Sequence, residues 1–250
     1  MSEEELPAVV LRTSSLGESD LLVTLLTATR GKLRVVARNA RKSVRRFAGG
    51  LTAGALGLAG VARGRGHWPG LTMFTPMRNH AVLGRDLNKL AYTAYLCELT
   101  DELVLERQAD AGLFAAVCEL LEDVLTKSVN PLLLRRCELV LLDVLGLLPV
   151  FTSCCACGAS VALDGDGQLG FDANRGGTVC SVHSVGSPSC DRAVVRMAVS
   201  LLGERSSSFE ISHVPMPLRR ELRDLTVGLL RGHLRRPLRS TGFLAQVSER

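Results

Sequence analysis

LLVTLLTATRGKLRVVARNARKSVRRF, residues Leu21 to Phe47, contains two apolar runs, a turn between them, and then a burst of positive charge. Leu21–Thr27 and Leu33–Ala37 are aliphatic and β-compatible, and the glycine of Arg30-Gly31-Lys32 supplies the positive φ of a tight turn. Toward the N-terminus, Ala8–Arg12 (AVVLR) is another strand candidate. Toward the C-terminus come Leu51–Arg63, with Gly54, Gly57 and Gly60 in step, and then Leu71–Pro76. Glycines so placed mark bulges or sharp bends, which a small closed barrel requires. Short strands with turn signals at roughly eight- to twelve-residue spacing indicate a sandwich or barrel. A five-stranded OB-type barrel is the leading candidate at this length, with an SH3-like barrel as the alternative.

From Asp86 the hydrophobic period changes to that of helices. Leu87, Leu90, Ala91, Ala94, Tyr95, Leu99 and Leu103 mark one helix, and Leu113, Val117, Leu120, Leu121 and Val124 the inward face of a second. Asn130-Pro131, a capping residue followed by proline at the first helical position, opens a third that Gly146 and Pro149 close. Cys190–Gly203 and Leu218–His233 are also helical in pattern, and Pro237 interrupts the residues beyond them.

The 250 residues are 46% apolar and 22% charged, enough for a substantial core and too ordinary for disorder. No uncharged run is long and glycine-free enough to span a membrane, and Met-Ser-Glu-Glu-Glu has the wrong charge for a secretory signal. The expected location is cytoplasmic. Net charge is only +5, but its distribution is uneven: Leu21–Arg85 holds twelve Lys and Arg with no Asp or Glu, leaving the rest of the chain at −7. Such a block is the footprint of a polyanion-binding surface. Its densest part, and the candidate polyanion-binding set, is Lys32, Arg34, Arg38, Arg41, Lys42, Arg45 and Arg46. The nearby rings Phe47, Trp68 and Phe74 are core candidates first and base-stacking candidates second. From Asp191 onward, eleven basic against six acidic residues make a weaker second region.

Five of the eight cysteines crowd into Cys154–Cys190. Cys154-x-x-Cys157-Gly158 and Cys180-x-x-His183 are separated by 22 residues rich in glycine. In a reducing compartment this pairing is metal-ligand spacing, with three thiolates and one imidazole filling the tetrahedral shell of one structural Zn2+. Cys190 and Cys155 are alternatives to His183 as fourth ligand. Between the pairs, Leu169–Asp172 is a strand candidate and Gly176-Gly177 a turn, the outline of a zinc ribbon. There is no Walker A sequence, no dinucleotide fingerprint, no H-E-x-x-H and no deaminase signature. No catalytic residue is assigned, and the chain is not expected to be an enzyme.

Taken together, these segments resemble the RecO family of bacterial DNA repair and recombination mediators. Leu11–Thr27 with Gly31 and Val35–Arg41 is similar to that family's opening strands and basic loop. Leu145-Gly146-Leu-Leu-Pro149 running into Cys154-x-x-Cys157-Gly158, Gly176-Gly177-Thr-Val-Cys180, and the tail Leu234–Ser240 are similar too. Two departures stand out: His183 where many members have a second C-x-x-C, and Asn39 where glycine is usual, a substitution asparagine tolerates at positive φ. The resemblance implies an α+β multidomain fold, with an N-terminal OB-fold barrel over 1–80 and a helical domain over 81–152 and 189–250. The zinc ribbon is inserted over 153–188. It also implies binding of single- and double-stranded DNA, strand annealing, and action with RecR and the C-terminal tail of SSB to load RecA in the bacterial nucleoid. Arg192, Arg196, Arg219, Arg220 and Arg223 are candidates to border an SSB-tail groove. An RNA-binding or ribosome-associated zinc-ribbon protein is the alternative that shares the charge block and the ribbon.

Overall fold

Strand alternation builds the N-terminal sheet in the computed structural model, which describes residues 3–43, 45–47, 51–63, 66–77, 84–203 and 214–248. Strands β1 (Glu3–Leu16), β2 (Asp20–Thr27), β3 (Gly31–Ala37), β4 (Leu56–Ala62) and β5 (Gly70–Pro76) close in the order β1-β2-β3-β5-β4, with β4 back on β1. The β3–β5 pair is parallel and the other four pairs are antiparallel, the order of an OB barrel. Val10 faces Leu25 and Leu25 faces Leu33, so a layer of aliphatics runs around the interior, closed by Val35 and Phe74. Each such buried side chain contributes about 1.5–3 kcal/mol.

The glycines expected to bend the barrel do so by different means. A Cβ on Gly57 would lie 2.8 Å from the Phe74 ring and 2.4 Å from the Thr75 carbonyl oxygen, so only glycine lets β4 pass that ring. The β4–β5 register shifts between Gly60 and Val61, a bulge. β1 is longer than the Ala8–Arg12 run because Glu3–Val9 pairs with β4, and backbone pairing there overrides poor strand propensity. Val9, Val10 and Leu11 are all buried because the register shifts between Val10 and Arg12 and a helix covers the outer face.

That helix is α1 (Leu87–Leu103), capped by Asp86, whose side chain accepts from the Asn88 and Lys89 backbone N–H groups. With α2 (Ala111–Thr126) and α6 (Ser240–Ser248) it belongs to the barrel's compact unit, Met1–Lys127 with Arg235–Arg250. The second unit, Ser128–Leu234, holds α3 (Pro131–Val144), α4 (Arg192–Gly203) and α5 (Met216–Arg231), which pack together. It also holds a small antiparallel sheet in the order β7 (Gly177–Val179), β6 (Gln168–Asp172), β8 (Ser189–Asp191). Asn130 and Pro131 start α3 as the sequence predicts, with the Asn130 side chain accepting from Leu132 and Leu133 N–H. The boundary expected at residues 80 and 81 lies outside the described residues. Neither α6 nor β8 is expected from the hydrophobic pattern.

Candidate metal centre and basic loop

The first knuckle, Cys154–Gly158, is held by Cys154 N–H donating to Ala159 O at 2.7 Å and Gly158 N–H to Cys154 O at 2.8 Å. The second closes with His183 N–H donating to Cys180 O at 2.9 Å. What brings the knuckles together is the pairing of Val150 with Gly177. Val150 N–H donates to Gly176 O and Thr178 N–H to Val150 O, and Thr178 Oγ1 donates to Ser153 O at 2.6 Å. A Cβ at Gly177 would sit 2.1 Å from Val150 O, so the approach needs glycine. Beneath the knuckles, Phe151 and Phe171 stack at 5.9 Å between centroids, the small core of the ribbon.

The donor atoms of Cys154, Cys157, Cys180 and His183 all lie within 4.8 Å of one another. Cys157 Sγ is 3.9 Å from Cys180 Sγ, and His183 Nδ1 is 3.7 Å from Cys154 Sγ and 3.2 Å from Cys180 Sγ. A tetrahedral ion with thiolate bonds of about 2.3 Å needs edges of about 3.8 Å. The group therefore fits a metal ion. Cys155 Sγ turns instead to Gly177 O at 4.0 Å, and Cys190 Sγ to Asp191 O at 3.7 Å, its thiol pushed up to about 12 by burial and then by Glu221. Two of the three thiols are lowered, while Cys157, although the Ala159 backbone N–H lowers it, is raised on balance by the crowding of Cys154 and Cys180. Cys154 is brought down to about 6, first by the Cys180 backbone N–H, and Cys180 is lowered first by its hydrogen bond with His183. His183 is raised by its hydrogen bonds with Cys180 and then Cys154.

In the barrel unit the seven candidate DNA-binding residues separate. Arg38, Arg41, Lys42 and Arg45 are exposed and Arg46 half-buried, and no ion pair among the described residues engages any of them. They follow β3 in a loop that Arg41 N–H ties to Ser19 O at 3.2 Å, beside the β1–β2 turn. Asn39 opens this loop at φ 51°, in the left-handed region, with its N–H on Asp20 Oδ1 at 2.8 Å. Arg46 stays within the loop, donating to Arg38 O at 2.6 Å and lying over the Phe47 ring at 5.0 Å. Arg34 pairs with Glu106 at 2.7 Å. Lys32 is buried, its ammonium 3.2 Å from Asp101 Oδ1 on α1, while Arg12 Nε meets Asp101 Oδ2 at the same distance. Asp101, Glu106 and Glu4, which pairs with Arg30, come from outside the basic block and neutralise part of it. No local sequence signal reveals those three partners.

Of the later arginines, Arg192 and Arg196 donate to the carbonyls of Ala162, Leu163 and Gly165 and so secure the loop before β6. Arg219 Nε donates to Val214 O, and Arg223 pairs with Asp224. Phe47 and Phe74 are core, at 5% and 1% exposure, and Trp68 is half-buried.

These features define an OB-barrel protein with a ribbon-bearing helical unit and a Cys3His group. The family model described as Recombination protein O N terminal matches residues 1–90, and that described as Recombination protein O C terminal matches residues 84–242. Full-length relatives include the DNA repair protein RecO of Anaeromyxobacter dehalogenans, 36% identical over 251 residues that cover 99% of this chain and 98% of that one. That of Myxococcus xanthus is 35% identical over 242 residues, 96% of each chain, and that of a Roseiflexus species is 32% identical, covering 97% of this chain and 85% of its own. The chain belongs to the RecO family of non-enzymatic DNA repair proteins.

Proposed function

We propose that the protein binds single- and double-stranded DNA, anneals complementary strands, and with RecR helps load RecA on DNA coated by SSB, whose C-terminal tail it contacts. The observation that carries this reading is the loop Arg38–Arg46, a run of cations at the rim of an OB barrel with no carboxylate partner among the described residues. Such a loop tracks a phosphate backbone and is blind to sequence. Arg38, Arg41, Lys42, Arg45 and Arg46 make the contacts, Arg34 contributes when DNA displaces Glu106, and Lys32 supports the barrel instead. The ribbon, with Cys154, Cys157, Cys180 and His183 on one Zn2+, is structural, because four protein donors leave no position open for chemistry. The domain limits at 80, 152 and 188 belong to the same proposal, as does action in the bacterial nucleoid.

The test is the salt dependence of oligonucleotide binding. Replacing Arg41, Lys42, Arg45 and Arg46 together by Ala lowers the log–log slope on single strands by about 0.7 for each phosphate that is no longer neutralised. An unchanged slope places the DNA path elsewhere. Tighter binding of an RNA of equal length assigns the protein to RNA instead.

A further inference from the structure

Residues 66–69, just before β5, hold the chain's one tryptophan, which is not part of the barrel core. Trp68 is half-buried outside the core that takes up Phe47 and Phe74. His67, itself exposed, meets it edge-on at 5.4 Å between centroids and 78° between planes, a geometry in which neither ring covers both faces of the other. Next to Trp68, Pro69 and Gly70 are fixed beside β3 by Val36 N–H donating to Pro69 O at 2.9 Å and by the pairing of Val36 with Gly70. β3 is the strand that runs directly into the basic loop.

An indole carries a large apolar surface, and leaving part of it in water forgoes the gain of burial unless something covers it. In a chain with 4% aromatic residues, the cover is most economically a ligand with a flat face. Resting on the DNA-binding reading above, we propose that Trp68 is a stacking platform for an unpaired base. It then confers what the loop charges lack, a preference for single strands over duplex, because only a base out of its own stack offers a face. A base stacked on the indole keeps its Watson–Crick edge free to pair, which suits annealing.

Because Trp68 is the one tryptophan, its emission reports on this contact alone. The probes are an oligo(dT), an abasic oligonucleotide of equal length and charge, and a duplex. Each carries a dye, so that anisotropy measures binding independently of the indole. At saturation, oligo(dT) quenches the tryptophan while the abasic strand and the duplex bind without quenching. Trp68→Ala loses about five-fold or more in affinity for oligo(dT), the lower end of one base–aromatic stack, with duplex affinity unchanged, and Trp68→Phe recovers part of the loss. Equal quenching by the abasic strand, a silent tryptophan while anisotropy shows oligo(dT) bound, or equal losses on single strand and duplex each overturn the stacking role and leave the DNA-binding reading intact. Absence of any binding overturns both.

Discussion

Lys32 and Arg41 belong to one basic block, yet alternation along β3 turns Lys32 onto the outer face of the barrel, under α1, while Arg41 lies in the loop beyond. The sequence shows both charges and the strand between them, but which cation is covered depends on where α1 lands. Removing one partner of a buried pair costs about 3–5 kcal/mol, because the other charge is left without compensation. Lys32→Ala is therefore expected to lower stability by an amount near the lower end of that range, since Arg12 still faces Asp101, and to leave the salt slope of DNA binding unchanged. Denaturant melts and salt titrations of the one variant check both halves, and a stable variant with a reduced slope would reverse the assignment. The cysteines divide in the same way. Cys157→Ser is expected to abolish stoichiometric metal, while Cys155→Ser and Cys190→Ser retain it, as elemental analysis of the purified proteins can show. The C-x-x-C and C-x-x-H spacing named the four donors that the structure clusters, but left Cys155 and Cys190 open as alternatives to His183. What separates His183 from them is the three-dimensional placement of the thiols, with Cys155 Sγ at Gly177 O and Cys190 Sγ at Asp191 O.

At the level of elements, the strands and long helices were legible because their periods are distinct, and α6 was not. Its nine residues follow Pro237 and are apolar in no clear stripe, and its start is capped from far away in sequence. Glu98 on α1 accepts from Arg239 N–H at 3.0 Å through one carboxylate oxygen and from Ser240 N–H at 2.8 Å through the other. Glu102, one turn on, pairs with Arg236, so two carboxylates of α1 hold the tail. Partial burial opposes ionisation of Glu98, but the hydrogen bonds from Ser240 and Arg239 and the charge of Arg236 outweigh it and lower its pKa from the ordinary 4.5. A carboxylate with a lowered folded pKa adds stability that is complete above its ordinary value and is lost as pH falls through the folded one. Glu98→Gln is thus expected to cost roughly 1 kcal/mol near neutrality, below the about 1.5–3 kcal/mol of hydrogen bonds to charged groups because solvent screens a partly exposed one. The gap between variant and parent narrows below the ordinary carboxylate range. Melting curves of both proteins at neutral and acid pH decide it, and a gap that widens in acid excludes this role for Glu98.

For the molecule as a whole, charge in the sequence overstated charge on the surface. A block with no carboxylate of its own borrows Glu4, Asp101 and Glu106, and among the described residues the cations without such a partner include those of the loop after β3. The allocation of helices was equally hidden. An apolar stripe identifies a helix without naming its partner, and α1 is buried on several faces, from Ala91 and Tyr95 to Thr100 and Asp101. In the resulting arrangement the chain leaves the barrel unit after Lys127 and returns at Arg235. Each unit has its own core, an aliphatic ring in the barrel and the packed faces of α3, α4 and α5 in the other, but the ribbon's apolar core is small, chiefly Phe151, Leu169, Phe171 and Val179. A metal ion supplies what so small a core lacks, and its binding energy is then folding energy for that segment alone. Chelation is accordingly expected to abolish protection of the backbone amides of Cys154–Cys180 in hydrogen exchange and to lower the thermal stability of residues 128–234. The barrel amides should stay protected, and oligo(dT) affinity should remain within about two-fold, since no cysteine donor belongs to the basic loop. Acid should act as the chelator does, because protons compete with the ion for the thiolates. Loss of barrel protection together with the ribbon would show that the ion supports the whole chain, and loss of DNA affinity with the barrel intact would move the DNA path onto the ribbon unit.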